Sequence, residues 1–265
     1  MGSQSGKAVN NAFYDGLGER WLHAQDDPVA LLRAEGVAKQ AWVKEQLERL
    51  LGPFPSSTPA SAVETEDLAR PPLQILDIGC GAGFLARALR ADGHEVHALD
   101  ASLPTLRISQ GVEASVRYVQ GNAFALPYPD GAFDVVASMD FLEHVEEPAA
   151  AVREAARVLR RGGLFFFHTF SRNFLAWLVI IKGAEWFVRN TPERMHVLRL
   201  FIRPEELAGY CRASGMEPMA WTGVRPDFRR CAFWKMLATR VVPEDFRFVL
   251  TSSLKLSYLG VARKA

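Results

Sequence analysis

Apolar residues recur at helical spacing from Phe13 to about Leu51. Leu31, Leu32, Val37, Ala41, Val43, Leu47 and Leu50 share one face, and Gly52-Pro53 stops the run. Residues 53–72 lose this periodicity. They are rich in proline, serine and acids, and read as a flexible surface linker. Residues 1–10 are small and polar and read as disordered. At Leu73 the period changes. Leu73 to Ile78 is a short apolar run that ends in a glycine cluster, the pattern of a strand buried on both faces. Residues 95–99, 116–119, 133–137 and 164–168 predict further strands. Phe84 to Leu89, Pro104 to Gln110 and Pro148 to Arg160 predict helices, the last closed by Gly162-Gly163. Strand and helix alternate, so the expected class is α/β with a doubly wound, mostly parallel sheet. Beyond Phe170 the order breaks into an insertion at 171–200, a helix at 203–213 and a late strand or hairpin at about 250–261. The implied organisation is an N-terminal helical segment (1–52), a linker (53–72) and a main domain (73–265) carrying the insertion.

Composition narrows the class. The chain has 265 residues, 49% of them hydrophobic, which supplies a sizeable core and excludes disorder, collagen and coiled coil. Lys plus Arg (31) balances Asp plus Glu (30), so no global charge draws the chain to nucleic acid. Three cysteines, Cys80, Cys211 and Cys231, form no CxxC pair. With no signal peptide seen, this reads as a reducing, cytoplasmic setting. No apolar stretch reaches the roughly 18 residues that span a bilayer.

The candidate chemistry starts at Asp77-Ile-Gly-Cys-Gly-Ala-Gly83, between a strand and a helix. Gly79, Gly81 and Gly83 permit a tight turn and close approach of a ligand to the backbone. Asp100 ends the next strand, where an acid in a doubly wound fold hydrogen-bonds a ribose. A pyrophosphate disfavours the adjacent carboxylate of Asp77, whereas a nucleoside with a sulfonium and an ammonium tolerates it. S-adenosylmethionine is such a ligand. The loop resembles the first motif of the class I S-adenosylmethionine-dependent methyltransferases, over residues 73 to about 168. The resemblance implies a Rossmann-like, seven-stranded sheet. It also implies that Asn122 and Ala123 flank the adenine and that Met139 contacts the cofactor. The cofactor residues so assigned are Asp77, Gly79, Gly81, Asp100, its neighbour Ala101, Asn122, Ala123 and Met139.

Met139-Asp-Phe-Leu-Glu-His-Val145 follows the fourth strand. If Asp140 opens a helical turn, Glu143 and His144 lie at i+3 and i+4 and all three face one way. Two carboxylates and an imidazole suit Mg²⁺ or a similar divalent ion, which would acidify a bound hydroxyl. The competing reading makes Asp140 a helix cap and packs His144 near the cofactor. The segment resembles that of the ubiquinone-biosynthesis O-methyltransferases, the UbiG type. So do Phe167 to Asn173, Gly183 to Arg189 and Pro192 to Leu207. That resemblance implies a divalent metal at the acidic, acidic, histidine set, although Asp140 stands where the family has Glu. It also implies that Arg33 reaches the cofactor carboxylate.

Phe174 to Ile181 is eight apolar residues, followed by Trp186, Phe187 and Val188 and surrounded by Arg172, Lys182, Arg189 and Arg194. The insertion 171–200 reads as a lid whose apolar face covers the active site or a dimer contact, with peripheral membrane contact through 174–188 as an added role. His144 and His196 are the candidate general bases for a phenolic hydroxyl, and His168 is a second-line candidate. The expected activity is O-methylation of a phenol or catechol on a quinone-precursor-like or secondary-metabolite acceptor. The alternatives are metal-free O- or N-methylation of a non-aromatic natural product, and a lipid-binding module on the same fold.

Overall fold

The computed structural model describes residues 10–52 and 71–265. The expected linker and the expected disordered N-terminus lie outside the described residues, except for their edges at Asn10, Pro71 and Pro72. Among the described residues eight strands form one sheet. They are β1 (Gln74–Ile78), β2 (Glu95–Asp100), β3 (Arg117–Gln120), β4 (Phe133–Met139), β5 (Leu159–Phe170), β6 (Met216–Pro226), β7 (Phe248–Thr251) and β8 (Ser257–Lys264). Their order is β3-β2-β1-β4-β5-β8-β6-β7. β1 to β5 run parallel, β8 inserts antiparallel between β5 and β6, and β7 closes the edge against β6. The sheet is doubly wound, as the strand–helix alternation predicts, with β7 making eight strands rather than seven. The strand order reverses between β1 and β4, so a crevice opens at their carboxyl ends, where doubly wound folds bind ligands.

The helices are α1 (Ala12–Asp15), α2 (Arg20–His23), α3 (Val29–Leu51), α4 (Phe84–Ala91), α5 (Leu103–Val112), α6 (Pro148–Val158), α7 (Phe174–Ala176), α8 (Gly183–Phe187), α9 (Pro204–Ala213) and α10 (Cys231–Thr239). Side chains of alternate strand positions feed two cores. Leu76, Ile78, Val136, Phe165 and Phe167 pack with α6 and α9 on one face. Ile75, Val135, Ala137 and Phe166 pack with Trp42, Val43 and Leu47 of α3 and with α4 on the other.

Three local departures from the sequence pattern have clear causes. The helix expected from Phe13 is broken in three, because Gly18 takes φ +52 and Pro28 caps a new start. α3 buries only part of the forecast apolar stripe: Val43 and Leu47 are buried, but Val37 is exposed, and the inner face also carries Glu35, Lys39, Trp42 and Gln46. The helix expected to run to Arg160 ends at Val158, and residues 159–163 begin β5. Leu159 pairs with Phe133 there, and a Cβ on Gly163 would lie 2.9 Å from the Asp134 carbonyl oxygen, so glycine permits the close approach. No described helix is long and apolar enough to cross a membrane.

Candidate active site

The turn from Asp77 to Gly83 is tied to the neighbouring strand. The N–H groups of Gly79 and Cys80 donate to the Leu99 carbonyl at 2.8 and 3.1 Å. Gly79 adopts φ +69, and a Cβ there would meet the Phe141 ring at 2.7 Å. Asp100 braces the turn from β2. Its Oδ2 accepts from the Gly81 N–H at 2.9 Å and its Oδ1 from the Ser102 N–H at 2.8 Å. The carboxylate keeps further lone pairs for a ligand hydroxyl. Around this turn lies a cleft of about 770 Å³, lined by Asp77, Gly79, Gly81, Asp100, Ala101, Asn122, Ala123 and Met139 together. Tyr14 and Trp21 line it from the N-terminal segment, stacked at 5.5 Å between centroids. Burial, and after it the neighbouring Asp100, pushes the Asp77 carboxyl up to about 7, against the N–H of Ala86. A cation arriving beside Asp77 would relieve that penalty.

Arg33 is elsewhere. Its guanidinium donates to the carbonyls of Trp21, at 3.0 Å, and Ala24, holding the end of α2 rather than lining the cleft.

The Asp140, Glu143, His144 segment departs from the expected single helical turn. Asp140 takes the left-handed conformation at φ +55, and only residues 142–144 form a 3-10 turn. The i, i+3, i+4 alignment therefore fails, and the three do not converge as a donor set. Both oxygens of Asp140 accept from the Lys39 ammonium at 2.6 Å, and His168 Nδ1 lies 2.6 Å from Oδ1. Lys39 also reaches Glu35 Oε2 at 2.9 Å, one helical turn back on α3. Glu143 turns inward, where its Oε2 accepts from the Thr169 hydroxyl at 2.9 Å. Its Oε1 and the Nδ1 of His144 are buried without a hydrogen-bond partner. Among the described residues the metal-type donors that do converge, within 4.8 Å of one another, are Glu35, Asp140 and His168. A divalent ion does not fit that set as it stands, because the Lys39 ammonium already occupies the oxygens it would need.

Electrostatics within the cluster follow from burial against charge. Burial alone would raise Glu35 and Asp140, yet Lys39 and then His168 hold Glu35 down to about 2 and Asp140 well below the carboxylate range. Burial and Lys39 press His168 down, but Asp140 and Glu35 lift it to about 9. Two anions and two cations thus balance in a buried space. Glu143, outside this balance, is pushed up to about 7 by burial and then by Asp140.

A second cavity of about 410 Å³ adjoins the cleft and shares Tyr14, Leu32, Asp140 and His144 with it. Its walls are almost wholly apolar. They come from residues 178–188 of the insertion, from Phe228, Phe233 and Met236 around α10, and from Phe246 and Phe248. His196 lines it and faces His144, with ring centroids 5.3 Å apart. Burial, followed for His196 by its neighbour His144, holds His144 at about 4 and His196 at about 3, so both imidazoles are neutral at pH 7. His168 lines neither cavity; its imidazole meets the site at Asp140 and Glu35 and lies edge-on to Phe170, which lines the second cavity.

Lys39, Glu35 and Tyr14 were absent from the residues read off the sequence. They come from the N-terminal helices, and Lys39 meets Asp140 across 101 residues of chain, so no local motif marks the contact.

A family profile for a methyltransferase domain matches residues 76–167. The ubiquinone biosynthesis O-methyltransferase of Ralstonia nicotianae is 34% identical over 197 residues, covering 72% of this chain and 76% of that protein. That of Paracidovorax citrulli is 31% identical over 252 residues, covering 91% and 97%. The chain belongs to the ubiquinone biosynthesis O-methyltransferase family. It is an S-adenosylmethionine-dependent O-methyltransferase. Solved structures agree on the fold. The magnesium protoporphyrin IX methyltransferase of Synechocystis PCC 6803, with bound SAH, superposes with a TM-score of 0.59 at 17% identity, covering 97% of this chain and 96% of that one. A methyltransferase from Thermotoga maritima gives 0.58 at 18% identity, covering 93% and 94%.

Proposed function

We propose that this chain methylates a hydroxyl on an aromatic, largely apolar acceptor, with S-adenosylmethionine in the larger cleft and the acceptor in the smaller cavity. The observation that carries the reading is the shared wall: the two spaces meet at Tyr14, Leu32, Asp140 and His144. The methyl group and the acceptor oxygen would meet there. Asp77 would face the positive end of the cofactor, and Asp100 its ribose. Asn122 and Ala123 would bound the adenine, and Met139 would lie against the chain that carries sulfur.

In the reaction the acceptor oxygen attacks the methyl carbon, the S–C bond breaks, and its electron pair returns to sulfur, leaving S-adenosylhomocysteine. The hydroxyl proton passes to a neutral imidazole, His144 or His196, which burial keeps free to accept it. The apolar wall excludes water and aligns oxygen, carbon and sulfur. Alignment supplies most of the rate, because the sulfonium is already electrophilic. The segment 174–188 serves as a lid over the acceptor. Phe174, Leu175 and Trp186 on it are exposed, which supports contact with a lipid surface holding an apolar substrate.

Mass spectrometry of products from a panel of catechols and phenols with apolar tails tests this. A product in which a methyl group replaces the hydroxyl hydrogen, heavier by one CH2, is expected, and a panel with none would sink the aromatic acceptor. His196 lines the acceptor cavity but not the cofactor cleft. His196→Ala should therefore lower kcat by about 10²-fold and leave cofactor affinity unchanged. Equal losses in both would remove its assigned role.

A further inference from the structure

We infer that Lys39 is a built-in substitute for a divalent cation, so that methyl transfer in this protein runs without a metal ion and Lys39 acts as the positioning residue of Asp140. The inference rests on the two-cavity reading above for the meaning of the site, but its geometry stands alone. Lys39 Nζ has three donors, and three oxygens meet it: Asp140 Oδ1 and Oδ2 at 2.6 Å and Glu35 Oε2 at 2.9 Å. An ion bound at about 2.1 Å from those oxygens would overlap the ammonium and be repelled by it. The side chain is 4% exposed, so it is not a surface lysine that swings away cheaply.

The set around the ammonium is nonetheless of metal-binding type. Glu35, Asp140 and His168 offer two carboxylates and an imidazole within 4.8 Å of one another. Lys39 and His168 each reach both carboxylates, His168 at 2.6 Å from Asp140 and 3.3 Å from Glu35. The result is a fixed Asp140 at the wall shared by the two cavities. The ammonium does what a metal would do for geometry, orienting an acid, while leaving proton removal to the imidazoles. A buried cation paired to two acids also loses heavily if either side is removed, since the remainder is an uncompensated buried charge.

Emptying the cation position tests the idea. Wild type, Lys39→Ala and Lys39→Ser are titrated with manganese and the free ion is read by paramagnetic resonance. S-adenosylhomocysteine binding is measured in parallel by calorimetry. Wild type should bind no manganese at micromolar concentrations, and its turnover should survive EDTA. Lys39→Ala should lose about tenfold in turnover, gain one manganese site per chain and regain turnover when manganese is added. A merely structural lysine would show no such rescue. A stoichiometric manganese ion on the wild-type protein, or a folded Lys39→Ala that takes up none, overturns the inference. Should neither variant fold, the wild-type titration decides alone. Loss of S-adenosylhomocysteine binding in wild type would instead strike the cofactor assignment, so the two failures are told apart.

Discussion

At the scale of single residues, Asp77 connects burial to ligand charge. Its carboxyl is fully buried beside Asp100 and stays protonated up to about pH 7, whereas the unfolded chain ionises it near 4. Between those values the folded protein binds more protons than the unfolded one. Stability from this group therefore falls as pH rises through that window, by at most about 4 kcal/mol. A cationic ligand reverses the sign for binding, since it prefers the ionised acid. Affinity for S-adenosylmethionine should rise about tenfold from pH 6 to pH 8 and then level off, because the carboxyl titrates near 7. Calorimetry across that range checks it. Asp77→Asn should flatten the curve at the weak-binding end, and a wild-type affinity independent of pH would show that Asp77 does not face the cation.

Secondary-structure elements differ in how openly the sequence shows them. β1, β4 and the later half of β5 are legible because strands buried on both faces are mostly apolar runs, whereas β2 shows itself through buried Val96, Ala98 and Leu99 between half-buried polar residues. The glycine turn is legible because it needs glycine for a backbone reason. Gly79→Ala would place a methyl 2.7 Å from Phe141 at φ +69. It should cost about 1–3 kcal/mol of stability and lower cofactor affinity more than tenfold, measured by thermal denaturation and calorimetry. A variant with unchanged affinity would mean that the loop gives way without disturbing the cleft. α3 is only half legible. Its end at Leu51 follows from the Gly52-Pro53 stop, but its start does not, and its inner face holds Glu35 and Lys39, charges that a hydrophobic pattern assigns to solvent. The turn after β4 misleads for a related reason. Its residue types are those of a metal set, but Asp140 in a left-handed conformation breaks the helical spacing that the reading assumed. Contacts closed across the whole chain, such as Lys39 with Asp140, leave no trace in local spacing.

The whole molecule couples its first described residues to its site. α1 and α2 are too short to be stable alone, yet Asn11, Tyr14, Asp15 and Trp21 line the cofactor cleft, and Trp21 is 4% exposed. They are held by the stack of Tyr14 on Trp21, the indole N–H to the Tyr14 carbonyl at 3.2 Å, Arg33 on the carbonyl end of α2, the ion pair of Arg20 with Asp27, and the packing of Leu17 and Trp21 against Val29, Ala82 and Phe84. Short elements outside the sheet ladder, held mainly by side chains, open at lower free energy than the central strands. Cofactor in the cleft would add contacts to Tyr14 and Trp21 and so favour the closed arrangement. Hydrogen exchange should therefore slow in residues 13–24 when S-adenosylhomocysteine is added, while β1, β4 and β5 change little. This gives Arg33 a role that its position supports better than ligand contact, since it pins the element that covers the ligand. Arg33→Ala should speed exchange in residues 20–24 of the free protein and weaken cofactor binding by about 1 kcal/mol, the scale of one lost hydrogen bond. Exchange that is unchanged by the ligand in this segment would mean that the N-terminal helices are a fixed wall.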